Sequence, residues 1–522
     1  MTPYKLNRRQ WLQQTSGVVA AASAFAVPQG PLLVRAFEPD GTPAGADRFK
    51  TFLLTDSDGQ PYHLLPKAGA DGTASIELPP GKFEMMMVLP VRDFGQVYLY
   101  ADNRGALYPP SATGELLLNY ECARSRAAFV RRYIEAARAE GVPFTSGATD
   151  RLTRGEAALE KASAAREPAE RARYSNDSLA DTMWAGEMAA IERAQHRIVH
   201  NGPRPGFLFG CNAFGYAKSD AYARLYRELL NYGTVPFYRA STEKVEGQPD
   251  YSAVDAILAD MVGTGIVAKG HPLVWFHHAG IPEFLKTKSW VEIQQSCREY
   301  ILRSVGRFRW RIHAWDVINE AHDWANELGF DEQQLLDLTR LAADTARLAD
   351  PTAFRVVNSC LPWGEYSALG KSYHGLMRQP VRTPFQYYKA LEDARVSYDA
   401  VGLQLYNPMR DMLEIERLVE RFFVLGKPVH ITELGVPAAN PTENSMGTES
   451  VWHGQGWTQQ VQADWVEQFY TLCYSKPQVQ AITWWDFADP AFIQNGGFVD
   501  EKFQPKESYN RLKGLIASWR AP

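Results

Sequence analysis

Cysteine is scarce in this chain: 522 residues hold five, Cys122, Cys211, Cys297, Cys360 and Cys473, and none forms a Cys-x-x-Cys pair. Structural zinc and a disulfide framework are therefore poorly supported, and the odd count leaves at least one thiol free. An excess of one charge is lacking too, since 55 Lys and Arg against 60 Asp and Glu leave a formal charge of −5, spread thinly. A nucleic-acid binder needs a basic stripe to neutralise phosphates, so that class of partner is excluded. No stretch reaches the roughly 20 apolar residues of a membrane helix. A Gly-rich phosphate loop and a Gly-x-Ser-x-Gly elbow are both missing, which removes nucleotide and ester-hydrolase readings. His271, His277 and His278 lie close together. With no carboxylate or further histidine at ligand spacing, they suit structural or sugar-contacting roles; no metal and no cofactor is expected.

What is present points to a large globular chain with more than one part. Hydrophobic residues make up 45% and charged residues 22% of the chain, enough to fill more than one core. Ordinary domains run to roughly 100–200 residues, or about 250 for barrels, so two or three parts are expected. Aromatic content is 12%, with 14 Trp and 24 Tyr. Such an excess suits a cleft for flat apolar sugar faces edged with hydroxyls, and equally a large packed core.

The first residues read as an address. Asn7-Arg8-Arg9-Gln10-Trp11-Leu12-Gln13 precede a mildly apolar run from Thr15 to Val27, and Ala24-Phe25-Ala26 supplies a small-x-small cleavage site. Consecutive arginines before a modest apolar stretch resemble a twin-arginine export signal over residues 1–26. Export of a folded protein to the periplasm or medium is the expectation.

Residues 31–110 are rich in Gly, Pro and Asp, with short alternating runs at Leu32–Phe37, Lys50–Leu54, Ala74–Leu78, Phe83–Val88 and Gln96–Tyr100. Turn signals separate them, and the segment is predicted to be a small all-β sandwich. Residues 114–204 switch to helical spacing and are predicted to form a helical connector, a hairpin whose charged run from Arg151 to Arg173 is a solvated face. Residues 205–522 alternate β-rich runs with amphipathic helices. Eight strands are predicted: Phe207–Phe214, Val235–Tyr238, Ile266–Trp275, Ala314–Asn319, Phe354–Asn358, Ala400–Tyr406, Val429–Leu434 and Ile482–Phe487. Strand–helix repetition of that count gives an α/β fold, a closed (β/α)₈ TIM barrel, whose chemistry sits at the C-terminal ends of the strands.

Those ends carry the motifs. Strand three holds Gly270-His271-Pro272-Leu273-Val274-Trp275, and strand four ends Trp315-Asp316-Val317-Ile318-Asn319-Glu320-Ala321. Strand six ends Gly402-Leu403-Gln404-Leu405-Tyr406, strand seven His430-Ile431-Thr432-Glu433-Leu434, and strand eight carries Ile482-Thr483-Trp484-Trp485-Asp486 with Asp489 beyond. One glutamate closing a strand is commonly a rim ion pair. Two, flanked by Trp and His from neighbouring strands, are what glycosidic bond cleavage needs: one carboxyl holds a proton for the leaving oxygen, the other stays ionised toward the anomeric carbon.

These motifs, in this order from about Phe207 to Leu515, resemble glycoside hydrolase family 10, whose best-known members are endo-1,4-β-xylanases. The resemblance implies a polysaccharide substrate, a monomer, Glu320 as acid/base and Glu433 as nucleophile, with retention and carboxyls about 5–5.5 Å apart. It also implies that Asn319 holds the sugar 2-hydroxyl while His271, Trp275 and Trp485 wall the reacting subsite. His278, Gln404, Tyr406 and Trp484 complete the expected substrate contacts. An ionised Glu433 is expected to raise the pKa of Glu320 toward about 6–7.

The chain also departs from that pattern. Where the family's second strand offers an Asn and a Lys, this sequence reads Thr-Val-Pro-Phe-Tyr-Arg over 234–239. The His two residues after Gln404 is Tyr406, the Gln after the strand-three Trp aligns best with His278, and Ser359-Cys360 follows Asn358 where the family has Asp-Tyr. The catalytic skeleton is kept and the sugar-reading shell is altered. A retaining hydrolase of another β-glycan, and a carbohydrate-binding barrel without turnover, therefore remain open beside a xylanase.

Overall fold

A computed structural model describes residues 30–322, 324–372, 375–376, 381–406, 409–442 and 451–520. The expected export signal lies outside them.

Two small sheets come first. One orders Lys67–Ala68, Thr73–Ile76, Leu32–Arg35 and Glu115–Leu117, the last pair parallel. The other is antiparallel, Leu53–Thr55, Glu84–Val91 and Gly95–Ala101. Alternation explains the first: Leu32 and Val34 are buried while Leu33 faces out. One apolar core holds Leu32, Val34 and Ile76 from the first sheet and Met85, Met87 and Leu99 from the second. The predicted strand Lys50–Leu54 is corrected. A 3₁₀ turn covers Ala46–Thr51, and only Leu53–Thr55 is paired. Another strand, Glu115–Leu117, falls where helix was expected, because it completes the first sheet beside Leu33–Arg35.

Three helices follow, Leu118–Ala139, Ser146–Ala164 and Pro168–Asn201, rather than the two of a hairpin. The charged run is itself helical, as its Ala, Glu and Arg content favours. It breaks only before Pro168, which starts the third helix where its missing N–H costs nothing.

The remainder closes into a barrel of eight parallel strands. In chain order, strands one to eight are Leu208–Asn212, Tyr232–Pro236, Val267–His271, Ala314–Asn319, Phe354–Ser359, Ala400–Tyr406, Val429–Gly435 and Val479–Trp484. Strand eight pairs strand one, Trp484 opposite Cys211, which removes every sheet edge. Strand two starts and ends earlier than predicted. Tyr232 packs its ring against His430, and Gly233 lies so near Met261 that a Cβ there would sit 2.9 Å from the thioether methyl. Phe237 and Tyr238 thus leave the strand. All five cysteines are free and buried.

The N-terminal elements are fastened to the barrel by buried charge. Arg126 meets Asp411 and Glu414, Arg417 reaches Glu84 at 2.7 Å, and Tyr133 donates to Glu416 at 2.6 Å. Every barrel partner here belongs to the helix Met412–Arg421, which follows strand six, or to the residue that caps it.

Candidate active site

Strand irregularities aim the two glutamates. Pairing between strands four and five shifts between Asp316 and Ile318, just before Asn319 and Glu320. Between strands six and seven it shifts so that Leu403 faces Ile431 but Gln404 faces Glu433. Bulges of this kind re-aim side chains at barrel rims. Glu320 stands one residue past strand four with φ of 55°, its N–H donating to Asn358 O at 2.8 Å and its carbonyl accepting from Ala325 at 3.1 Å. A non-glycine residue held left-handed costs about 1–3 kcal/mol and persists where its surroundings fix it.

Both side chains are nearly buried, Glu320 at 9% and Glu433 at 6% exposure, and one hydrogen-bond chain joins them. Glu320 accepts from Trp275 Nε1 at 2.9 Å and Gln404 Nε2 at 3.1 Å. Gln404 Nε2 also donates to Asn319 Oδ1 at 3.2 Å, and Asn358 Nδ2 donates to the same oxygen at 2.8 Å. Asn358 donates again to Glu433 Oε1 at 2.9 Å, and Tyr406 OH donates to Glu433 Oε2 at 2.8 Å. Thr432 donates to Asn358 Oδ1 and fixes its amide.

Burial pushes both carboxyls far above the ordinary range. Glu320 rises to about 7, against the pull of donors Gln404, Trp275 and Asn319. Glu433 rises to about 8, from burial first and then from the charge of Glu320. Burial is the first cause of both shifts, and the like-charge repulsion between the two carboxyls is mutual. Two close carboxyls raised together lose their protons in two steps that belong to the pair. Between about 7 and 8 the pair holds one proton.

Behind Glu433 lies a buried relay. Asp316 Oδ2 accepts from Lys269 Nζ at 2.8 Å and from His271 Nδ1 at 2.7 Å. Burial would raise Asp316, but the Lys269 charge and the bonds from His271 and Lys269 outweigh it and hold it below the usual carboxylate range. Burial lowers His271, so its ring is neutral, with the proton on Nδ1 and the Nε2 lone pair facing Glu433 Oε1 at 3.8 Å. Gly270 is demanded here, because a Cβ would lie 2.3 Å from the Trp315 ring.

Aromatic rings wall the same space. Trp485 meets His271 edge-on at 5.2 Å and Phe214 at 5.9 Å, and Tyr238 lies 5.7 Å from both His271 and Trp275. His277 stacks on Trp275 at 4.3 Å and His278 packs on His277 at 3.9 Å, exposed at the outer end.

His271, Trp275, Asn319, Gln404, Tyr406 and Trp485 are thus gathered around the two glutamates, and His278 reaches the rim. Trp484 is not. It is buried, donates to Gly496 O at 2.8 Å and packs on Phe498 and Trp465, on the opposite side of strand eight. Asp489 pairs with Lys506 and accepts from Gly497 N at 3.0 Å, so it holds a loop. Sequence reasoning gave no role to Asn358, Asp316, Lys269, Phe214 or Asp486. A strand-end Asn or Asp was the signal available for the first two.

Comparison with known proteins gives one family. Residues 238–514, just over half the chain, match the sequence profile of glycosyl hydrolase family 10. Endo-1,4-beta-xylanase B of Thermotoga neapolitana is 25% identical over 278 residues, 48% of this chain and 70% of that protein. Endo-1,4-beta-xylanase B of Paenibacillus barcinonensis is 24% identical over 294 residues, 52% of this chain and 83% of its own length. Endo-1,4-beta-xylanase A of Thermotoga neapolitana is 31% identical over 185 residues, 33% of this chain, which spans only 16% of that protein. Among solved structures, native xylanase 10B from Thermotoga maritima superposes at a TM-score of 0.47 with 20% identity, covering 62% of this chain and 97% of the xylanase.

Proposed function

The chain belongs to glycosyl hydrolase family 10, and from that premise we propose that it is a retaining glycoside hydrolase cleaving internal β-1,4 linkages of xylan or a similar β-glycan. The observation that carries the reading is the pair itself: two buried glutamates at the ends of strands four and seven, joined through Gln404, Asn319 and Asn358 and sharing one proton near neutrality. In the first step, Glu433 attacks the anomeric carbon while Glu320 gives its proton to the leaving glycosidic oxygen. In the second, Glu320 takes a proton from water, whose oxygen attacks the same carbon and releases the Glu433 carboxylate. Substrate settles the proton on Glu320, because positive charge developing at the anomeric carbon favours an ionised Glu433. Asn319, whose carbonyl is occupied by two donors and whose amide also donates to Glu320, has one N–H left for the sugar 2-hydroxyl. His271 Nε2 accepts a sugar hydroxyl, and Trp275, Trp485 and Tyr238 stack on the ring.

A second reading, another β-linked polysaccharide with the same chemistry, is favoured by the residues just after strand two, which are the rings of Phe237 and Tyr238 rather than an Asn and a Lys. Reducing-sugar release from xylan, mixed-linkage glucan, cellulose and mannan separates the readings, with Glu320→Ala and Glu433→Ala as controls. Xylan cleavage lost in both variants supports the first, and cleavage of another glycan alone supports the second. Binding without release by the wild type contradicts both.

The domain division belongs to the same proposal: a β-sandwich over 31–110, a helical connector over 114–204 and the hydrolase barrel over 205–522. Export rests on Arg8-Arg9 and the small-x-small site ending at Ala26. An exported product whose N-terminus falls near Val27, lost when both arginines become lysine, is the expected result.

A further inference from the structure

A third carboxyl stands at the cleft, and the mechanism above does not use it. Asp486 follows strand eight immediately after Trp485, whose ring lines the reacting space. Its Oδ2 accepts from the Phe492 amide at 2.6 Å and its Oδ1 from Asn212 Nδ2, at the end of strand one, at 3.2 Å. Both partners are neutral N–H groups, and no ion pair reaches Asp486 among the described residues. An ionised carboxylate has about four acceptor sites, so two are left open. The carboxylate also sets the loop that displays Phe492, a ring 51% exposed and edge-on to Tyr406 at 5.3 Å. Asp486 is therefore one ring away from the phenol that holds Glu433.

Its charge is felt across the cleft. Burial first, then Glu433, then Asp486 hold the Tyr406 phenol protonated. Burial, Glu433, Glu320 and Asp486 do the same for Tyr238 on the facing wall. Burial also lifts Asp486 itself to about 6, so it is ionised at and above neutrality. The wall made by strands one, two and eight then presents Phe214, Tyr238, Trp485 and Phe492 around one uncompensated negative charge.

We propose that Asp486 is a specificity-determining residue. It accepts hydroxyls of an uncharged sugar on this wall and rejects a sugar that carries a carboxylate there. The proposal rests on the hydrolase reading above. A like charge brought into a half-buried site with no cation among the described residues is refused by repulsion. The amide of Asp486→Asn keeps the shape and, with a flip of the Asn212 amide, both hydrogen bonds, while removing the charge.

The test compares kcat/KM of wild type and Asp486→Asn at pH 7.5 on an unbranched β-1,4-xylo-oligosaccharide and on the same chain bearing glucuronic acid branches. The wild type is expected to prefer the neutral chain, and the substitution to shrink that preference by about tenfold, chiefly by raising the rate on the acidic chain. Added salt should shrink the preference of the wild type and leave that of the variant unmoved. Cleavage of the neutral chain by the variant reports that it is folded. An equal ratio in the two proteins overturns the proposal while the hydrolase reading stands, as does a variant too misfolded to cleave the neutral chain when Asp486→Ser keeps the wild-type ratio. Failure of the wild type to cleave any β-glycan overturns the hydrolase reading, and this proposal with it.

Discussion

The phenol of Tyr406 donates to Oε2 of Glu433 over 2.8 Å, from the strand-six position two residues after Gln404. Glu433 is thereby held between a phenol on one oxygen and the Asn358 amide on the other. The bond favours the ionised form, so it lowers a pKa that burial has raised. Tyr406→Phe should raise the Glu433 pKa further and reduce kcat/KM about 10- to 100-fold, as expected for losing a hydrogen bond to a charged group of roughly 1.5–3 kcal/mol. KM should change little. The alkaline limb of the pH profile, which the Glu433 step near 8 sets, moves to higher pH in this account; an unmoved limb contradicts it.

The pair also sets the pH dependence of the wild type. Below about 7 both carboxyls hold protons and no nucleophile exists; above about 8 both are ionised and no acid remains. The kcat/KM profile should be a narrow bell with both limbs well above the ordinary glutamate range. Replacing Glu320 by Gln removes the second cause of the Glu433 shift, so Glu433 should titrate lower than in the wild type yet above 4.5. Carbon-detected NMR of labelled glutamate carboxyls reads this directly.

Stability should show the same carboxyl with the opposite sign from a surface ion pair. The folded-state pKa of Glu433 is raised from 4.5 to about 8. Its contribution is therefore full below about 4.5 and is lost as pH rises through about 8. Glu433→Gln should match the wild type in urea unfolding near pH 4 and exceed it by roughly 2–4 kcal/mol near pH 8.5. Equal gains at both pH values would deny that the folded protein carries this buried charge.

Asp316 holds together what lies beneath the cleft. Lys269 and Asp316 are both fully buried, so Asp316→Ala strands a buried ammonium without its counter-charge. Breaking one partner of a buried pair costs about 3–5 kcal/mol. It also frees the His271 proton to either ring nitrogen. Calorimetry should show the loss of stability. Restoring the acceptor without the charge, as Asn, should recover only part of it.

Much of this was legible in the chain, and the gaps have physical causes. The strands Ala314–Asn319 and Ala400–Tyr406 have the predicted bounds, because both are runs of strand-forming residues that end at polar side chains. Strand two begins at Tyr232 rather than at Val235 because Tyr232 packs on His430 inside the barrel and Gly233 packs against Met261, contacts that periodicity does not show. The motif alone places both Trp484 and Trp485 on the sugar, yet successive strand residues point to opposite faces. Only Trp485 reaches the cleft, and Trp484 fills the layer behind it. The bulges before Glu320 and Glu433 leave no trace in periodicity, since they are relations between strands. For the same reason nothing in the order of residues foretells that Asn358 bridges Asn319 to Glu433.

Azide trapping puts the two glutamates to the most direct trial. Each alanine variant is given an activated aryl β-glycoside and sodium azide, and the anomer of the glycosyl azide is read by proton NMR. With Glu320 removed, Glu433 still forms the glycosyl-enzyme and azide enters from the β face, giving the β-glycosyl azide. With Glu433 removed, azide takes its place on the α face and gives the α-glycosyl azide. The same anomer from both variants, or undiminished turnover in either one without azide, would contradict the assignment of a nucleophile and an acid/base to this pair.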